Sequence, residues 1–141
     1  MSNVKSYNAA DVDIIFAGIS IDGKADGTFV TVERRAEAFT LVVGAGGEGL
    51  RSKSNDRSAT VTLALMQSSA ANDALSALAV LDEESGAGVG PLLIKDRSGS
   101  TLCAAPTAWI QKFANAEFAK EGSEREWIIE TNDLRMFVGG N

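Results

Sequence analysis

The sequence contains no histidine and only one cysteine in 141 residues. The absence of histidine removes the most frequent general base and the most frequent metal ligand, so a histidine-containing catalytic triad is excluded. Cys103 cannot form a disulfide within the chain, which favours a reducing compartment. Zinc sites are built mainly from cysteine and histidine, so a zinc site is disfavoured as well.

Long apolar segments are also missing. No stretch approaches the ~20 apolar residues that a membrane-spanning helix needs, so no membrane span is expected. The first residues, from Met1 to Lys5, have no apolar run behind the lysine, so a secretory signal is not expected either.

Basic residues are outnumbered. The chain has 13 Lys and Arg against 19 Asp and Glu, a formal net charge of −6. Tight binding to nucleic acid needs cations that displace counterions from the phosphates. The composition therefore disfavours a nucleic-acid-binding role.

Most of the sequence alternates apolar and polar residues, which is typical of half-buried strands because successive side chains point to opposite faces. β-Branched residues are frequent in these runs and favour a pleated surface. The length suits one domain covering residues 1–141. Strands are predicted at 28–34, 38–43, 58–66, 91–96, 100–104, 108–117, 126–131 and 135–138, with 11–21 forming one long strand or two short ones.

One segment has helical spacing instead. Ala71, Leu75 and Leu78 recur at helical intervals, and a serine just before them can cap the helix N-terminus. A helix is predicted from about Ser69 to Glu83, lying across the sheet. The predicted fold class is mainly β, an antiparallel β-sandwich or barrel with one flanking α-helix.

A glycine-bearing segment, 44–57, separates two of the predicted strands. At about fourteen residues it exceeds the usual hairpin loop, so a long extended loop is predicted there. Its glycines match neither the P-loop pattern nor Gly-x-Gly-x-x-Gly. A strand pattern follows it rather than a helix whose N-terminus would hold a phosphate, so nucleotide binding is disfavoured.

The remaining candidate residues carry no clear chemistry. Asp11 and Asp13 lack the twelve-residue loop of a calcium site, and Cys103 has no activating base in view. Trp109 and Trp127 lie on strand patterns and are predicted as core or subunit-seam aromatics, with a role as carbohydrate platforms less favoured. No catalytic, cofactor-binding or metal-binding residue is predicted.

Several stretches in their order and spacing resemble the tail tube proteins of contractile-tailed bacteriophages, which are related in architecture to type VI secretion and tailocin tubes. The resemblance covers nearly the whole chain, and its motifs are structural rather than chemical. The stretches are 27–35, Phe39-Thr40, the glycine-rich segment, 68–76, 91–96, 108–110 and 125–127.

The resemblance implies a structural virion protein with a tail-tube-like fold and no enzymatic activity. Copies are expected to form rings, hexameric in this family, whose inner sheets join into one barrel around a lumen. The rings stack into the inner tail tube, a conduit for genome delivery during tail contraction. The expected location is the virion tail, after assembly in the host bacterial cytoplasm.

The expected partners are other copies of the chain, a sheath protein outside, and the tape measure protein and double-stranded DNA in the lumen. DNA is expected to pass without tight binding, because an acidic wall repels phosphates. Segment 44–57 is expected to be poorly ordered in a free subunit and ordered against the adjacent ring or a neighbouring subunit. The predicted interface residues are Gly46, Gly47, Glu48, Leu50, Arg51, Lys53, Asp56 and Arg57.

Two other functions remain open at this point. One is a monomeric β-sandwich binding module for a carbohydrate or protein ligand, and the other is a small enzyme built on carboxylates. The size of the purified protein separates the first of these from a tube subunit, because one predicts monomers and the other rings or tubes.

Overall fold

The computed structural model describes residues 4–141. The predicted mainly β fold with one helix is confirmed: the helix α1 spans Ala71–Ser85, and a short 3₁₀ helix at Ala9–Asp11 precedes the first strand. The strands are β1 (Val12–Phe16), β2 (Ile19–Ser20), β3 (Val30–Arg34), β4 (Phe39–Val43), β5 (Gly49–Lys53), β6 (Ala59–Met66), β7 (Gly90–Asp96), β8 (Leu102–Lys112), β9 (Glu124–Thr131) and β10 (Arg135–Phe137).

All strand pairs are antiparallel. The main sheet has the order β2-β1-β7-β8-β9-β6-β3, with β10 paired to β8, and β4 and β5 form a separate two-stranded sheet. Strand β8 is shared by the two halves of the main sheet, β2-β1-β7 and β9-β6-β3. Its first part pairs with β10 and β7, and its second part, from Ala108 onward, pairs with β9.

Two strands predicted at 100–104 and 108–117 are in fact one, β8, which ends at Lys112. Pro106 lies where β8 changes partners, between the part paired to β10 and the part paired to β9. Proline has no N–H to donate to a ladder, so it is tolerated at such a break. The register between β7 and β8 also shifts here, between Gly90 and Leu92.

One continuous core lies between the two halves of the main sheet, which meet at β8. Alternate residues of each strand point into it, and fully burying one such side chain stabilises the fold by ~1.5–3 kcal/mol. The core includes Ile14 and Phe16 from β1, Leu92 and Ile94 from β7, Val61 and Leu63 from β6, Trp127 and Ile129 from β9, and Leu75 from α1.

Helix α1 begins two residues later than predicted. Ser69 was predicted as the first residue or the cap, but the flanking residue is Ala70, which has no side-chain cap bond. The Ser69 hydroxyl instead accepts from the N–H of Ala71 at 3.2 Å and donates to the carbonyl of Asp22 at 2.5 Å. The Ser69 hydroxyl therefore links the start of the helix to the turn at Asp22, between β2 and β3. The helix ends at Gly86, whose φ of 71° suits glycine.

Segment 44–57 is not the long loop that was predicted, because strand β5 occupies its centre. The segment 11–21 forms two short strands, β1 and β2, rather than one. Within residues 4–141, no helix has both the length and the apolar character needed to cross a membrane.

Candidate assembly surfaces

The hairpin of β4 and β5, residues 39–53, projects from the main sheet and is called the arm here. Phe39 pairs with Lys53 and Val43 with Gly49, so the two strands match over their full length. Every residue of both strands is exposed, and no arm residue belongs to the hydrophobic core. The arm is therefore held by its own ladder and by its base.

Both faces of the arm are apolar and open to solvent. Leu41 and Val43 are 68% and 60% exposed on the face that also carries Phe39. Val42 and Leu50 form the opposite face as a cross-strand pair. On the first face, the Arg51 guanidinium lies 4.2 Å from the centroid of the Phe39 ring, a cation–π contact.

Gly44 and Gly47 form the turn at the tip of the arm. The Gly47 N–H donates to the Gly44 carbonyl at 3.0 Å, and the Gly44 N–H donates to the Glu48 carbonyl at 2.8 Å. Gly47 has a φ of 90°, which L side chains rarely adopt. A glycine-containing gap of three to five residues between two strands is a sequence signal for a hairpin. Residues 44–48 form such a gap, so this turn could have been predicted.

The base of the arm is fixed within the subunit. The Asp56 carboxylate accepts from the Ser58 N–H at 2.9 Å, and hydrogen bonds from the Ser58 hydroxyl and backbone lower the pKa of Asp56. The Arg57 side chain pairs with Asp133 at 3.3 Å, and its carbonyl accepts from the Leu134 N–H at 2.9 Å. Asp56 and Arg57, two of the predicted interface residues, thus hold the base of the arm within the subunit, and their place at an interface stays a prediction.

The other six predicted interface residues lie on the projecting part of the arm. Gly46, Gly47 and Glu48 form the tip, whereas Leu50, Arg51 and Lys53 lie on β5. A two-stranded hairpin by itself is marginally stable in water, and contiguous exposed apolar surface marks interaction sites. The arm has the properties of an element that is completed by a partner.

The two tryptophans have different environments. Trp127 is 2% exposed, its indole N–H donates to the Asn72 side chain at 3.0 Å, and its ring lies 6.1 Å from that of Phe113. Trp127 is therefore a core residue and has no open face for a sugar. Trp109 is half-buried and lies opposite Glu130 on the side of the sheet away from the core.

The acidic residues singled out in the sequence are used structurally. The Arg97 guanidinium lies 2.9 Å from Asp13 and 3.6 Å from Asp11, so it joins the β7–β8 turn to β1. Among residues 4–141, no group of three or more His, Cys, Asp or Glu side chains is placed to hold a metal ion. Cys103 is buried and burial raises its pKa, which disfavours the reactive thiolate.

A second surface is the outer face of what we call the half-sheet: β3, β6, β9 and residues 108–112 of β8. Its side chains point away from the core because they alternate with buried ones. The carboxylates of Glu33, Glu126 and Glu130 lie on this face. Arg35 pairs with Glu130 and donates to Thr60 at 3.3 Å, and Lys112, opposite Ile128, is a second cation on this face. The face is polar and acidic on balance.

The fold and these surfaces define a mainly β subunit with an exposed arm. The family described as Bacteriophage PhiTE tail tube protein matches residues 8–139. A structural protein of Pseudomonas phage KPP10, ORF10, is 33% identical over 129 residues, which is 89% of this chain and 75% of that protein. The chain belongs to this tail tube family, which is structural and not enzymatic.

Solved structures share the fold at low identity. A chain from the virion of a native gene transfer agent particle aligns with a TM-score of 0.61 at 16% identity, covering 94% of this chain and all of that one. A chain from the sheath/tube terminator of the PVC extracellular contractile injection system aligns with a TM-score of 0.61 at 8% identity, covering 97% and 100%.

Proposed function

We propose that this tail tube protein forms hexameric rings that stack into the inner tube of a contractile phage tail, through which the genome is delivered. The sheath protein would surround the tube, and the tape measure protein and DNA would occupy its lumen. Assembly takes place in the host bacterial cytoplasm. A conduit of this kind needs many identical contacts and no catalytic group.

The observation that carries the proposal is the arm. It buries nothing in its own subunit, and Leu41, Val42, Val43 and Leu50 are each at least 60% exposed. In a stack, a projecting hairpin can lie against the adjacent ring, where these side chains lose contact with water. Arg51 and Lys53 then set the register by pairing with acidic groups of the neighbour.

The half-sheet supplies the wall of the lumen in this arrangement. Its outer face carries Glu33, Glu126 and Glu130 against the cations Arg35 and Lys112, so it is acidic on balance. Phosphates are repelled by a wall of this sign, so DNA can slide without being held. The opposite side of the half-sheet is occupied by the core.

Removing the arm tests the proposal. The Ser54 N–H donates to the Ala38 carbonyl at 2.8 Å, so the chain ends at the base are close enough for a two-residue Gly-Ser link in place of 39–53. We expect this variant to fold with an unchanged thermal midpoint and to form no tubes in negative-stain micrographs.

A matched pair of point variants separates lost arm contacts from a disturbed arm. The double variant Leu41→Ser, Leu50→Ser removes apolar surface from both faces, and Thr40→Ala, Ser52→Ala leaves it in place. Tubes are expected from the second variant only. Tubes of normal length and stability from the arm-deleted protein would refute the proposed role of the arm, and a wild-type protein that stays monomeric would favour the binding-module alternative.

A further inference from the structure

We propose that the ion pair of Arg57 and Asp133 fixes the angle between the arm and the half-sheet, an inference that rests on the proposed tube function. Each copy then presents its arm to the next copy in the same direction. Arg57 and Asp133 are positioning residues for assembly, and neither needs to touch the neighbouring copy.

The arm continues from the half-sheet across a gap in the hydrogen-bond ladder. The pairing of β3 with β6 ends where the Arg35 N–H donates to the Ser58 carbonyl at 3.2 Å. The pairing within the arm begins where the Ser54 N–H donates to the Ala38 carbonyl at 2.8 Å. The two legs of the arm cross the space between these two bonds.

The two legs differ in length across this gap. One leg consists of residues 36–37 and the other of residues 55–57. Within residues 4–141, no backbone hydrogen bond joins these two stretches. An extra residue on one side of an antiparallel pair disrupts the ladder and bends it. The backbone ladder by itself therefore leaves the angle of the arm open.

Arg57 takes its partners from the segment between β9 and β10. Its guanidinium lies 3.3 Å from the Asp133 carboxylate, and its carbonyl accepts from the Leu134 N–H at 2.9 Å. The Asp133 N–H in turn donates to the hydroxyl of Thr131 at 3.2 Å, and Thr131 is buried at the end of β9. The ion pair therefore attaches one leg of the arm to the buried end of a core strand.

The other leg is attached to the same segment. The Arg34 guanidinium donates to the Leu134 carbonyl at 2.5 Å, and Arg35 pairs with Glu130. Three of the seven arginines in the chain thus connect the base of the arm to residues 130–134. Two attached legs define an angle, whereas a single attached leg would leave a pivot.

The Arg57–Asp133 pair is placed to give direction rather than folding stability. Its side chains are 54% and 32% exposed, and ion pairs this open to water add little to the free energy of folding. An arm that already has its direction loses less conformational entropy when it docks. The pair acts on the legs, so the ladder nearer the tip can still open and close.

Distances between two spin labels measure the angle of the arm in the free subunit. The labels are attached to Ser52→Cys on β5 and Glu83→Cys on α1, both of which are exposed positions. Native Cys103 is 2% exposed and is not expected to be labelled. We expect a narrow distance distribution in this labelled protein and a clearly broader one after Asp133→Ala. An unchanged distribution would overturn the proposal.

Asp13→Ala is the matched control. It also removes an aspartate that pairs with an arginine, and that arginine, Arg97, is 54% exposed, as Arg57 is. The Asp13 pair lies on β1, away from the base of the arm. The distance distribution should stay narrow in this control, and equal broadening in both variants would count against a specific role of Asp133.

Assembly gives the second measurement. Asp133→Ala should need a roughly tenfold higher protein concentration to form tubes, because docking then also has to fix the arm. The thermal midpoint of its free subunit should change little. The exchanged pair Arg57→Asp, Asp133→Arg should restore assembly and the narrow distances, whereas Arg57→Asp alone should restore neither. A double variant no better than Arg57→Asp would contradict a role of the pair itself.

The outcomes separate the positioning role from the proposed function. Broad distances in Asp133→Ala with assembly equal to wild type would overturn the positioning role and leave the tube function standing. Wild-type protein that forms no tubes would overturn the tube function and, with it, the role of the pair in assembly.

Discussion

The hydrogen bond between Trp127 and Asn72 joins the helix to the sheet. The indole N–H donates to the Asn72 side chain at 3.0 Å, and the same amide donates to the Met66 carbonyl at 3.0 Å. A buried tryptophan usually finds such a partner for its N–H. One asparagine on the first turn of α1 therefore fixes the helix against β9 and against the end of β6.

The first prediction concerns these tryptophans. Trp127→Ala should lower the free energy of unfolding by ~3–5 kcal/mol, the usual cost of emptying a large core site. Trp109→Ala should cost clearly less, because Trp109 is half-buried and lies outside the core. Urea denaturation of both variants measures the difference. Equal losses would mean that Trp109 also supports the fold of the free subunit.

The second prediction concerns the tip of the arm. Gly47→Ala should destabilise the turn by roughly 1 kcal/mol or more, because alanine is strained at a φ of 90°. Faster hydrogen exchange at the arm amides, with unchanged exchange in β6, would report this. Gly122→Ala is the control, since a Cβ there meets nothing within 4 Å and its φ is not positive. Arm exchange rates identical to wild type would contradict the strain argument.

At the scale of elements, the core strands and the first strand of the arm, β4, were predictable, and the second strand of the arm, β5, was not. Strand β6 buries Val61, Leu63 and Leu65 on one face, so its alternation is strong. Strand β5 buries nothing, and its sequence therefore carries no period-two contrast. Without burial on either face of β5, the alternation that marks a half-buried strand is absent. The strands predicted at 100–104 and 108–117 are the opposite case, because they form one strand, β8, that changes partners along its length.

The third prediction concerns order in the arm. We expect the amides of β4 and β5 to exchange rapidly in the free subunit and to be protected in tubes, because an isolated hairpin is marginal in water and a covered one is not. Hydrogen–deuterium exchange with mass spectrometry on both forms measures the change. The amides of β9 serve as the internal control, since β9 is paired on both sides. Strong protection of the arm already in the free subunit would contradict the expectation.

At the scale of the whole molecule, composition indicated the class and topology had to be observed. The lack of histidine disfavoured a catalytic site, and the excess of acidic residues disfavoured nucleic-acid binding. The strand order, with β8 shared by the two halves of the sheet, depends on pairing between distant segments. The alternation of apolar and polar residues within each strand does not specify that pairing. The net charge also did not show which face carries the acids. The register does, by placing Glu33 opposite Thr60 and Thr60 opposite Glu130.

The fourth prediction follows from that face. If it lines the lumen, the double variant Glu33→Lys, Glu126→Lys should turn a repelling wall into an attracting one, since each ring would carry the reversed charges in every subunit. Glu130 is left unchanged because it pairs with Arg35. Assembled tubes of this variant should bind short duplex DNA in a salt-sensitive way, and the bound DNA should resist nuclease because it lies inside.

The control reverses charge at Glu83 and Glu84, which are exposed near the end of α1 and outside the half-sheet. Glu83→Lys, Glu84→Lys tubes gain the same number of cations, so they should also bind duplex DNA by charge alone, but this DNA should remain open to nuclease. Equal nuclease sensitivity in the two variants would show that the half-sheet face does not line the lumen. Tight, salt-sensitive DNA binding by the unmodified tube would contradict the repelling wall itself.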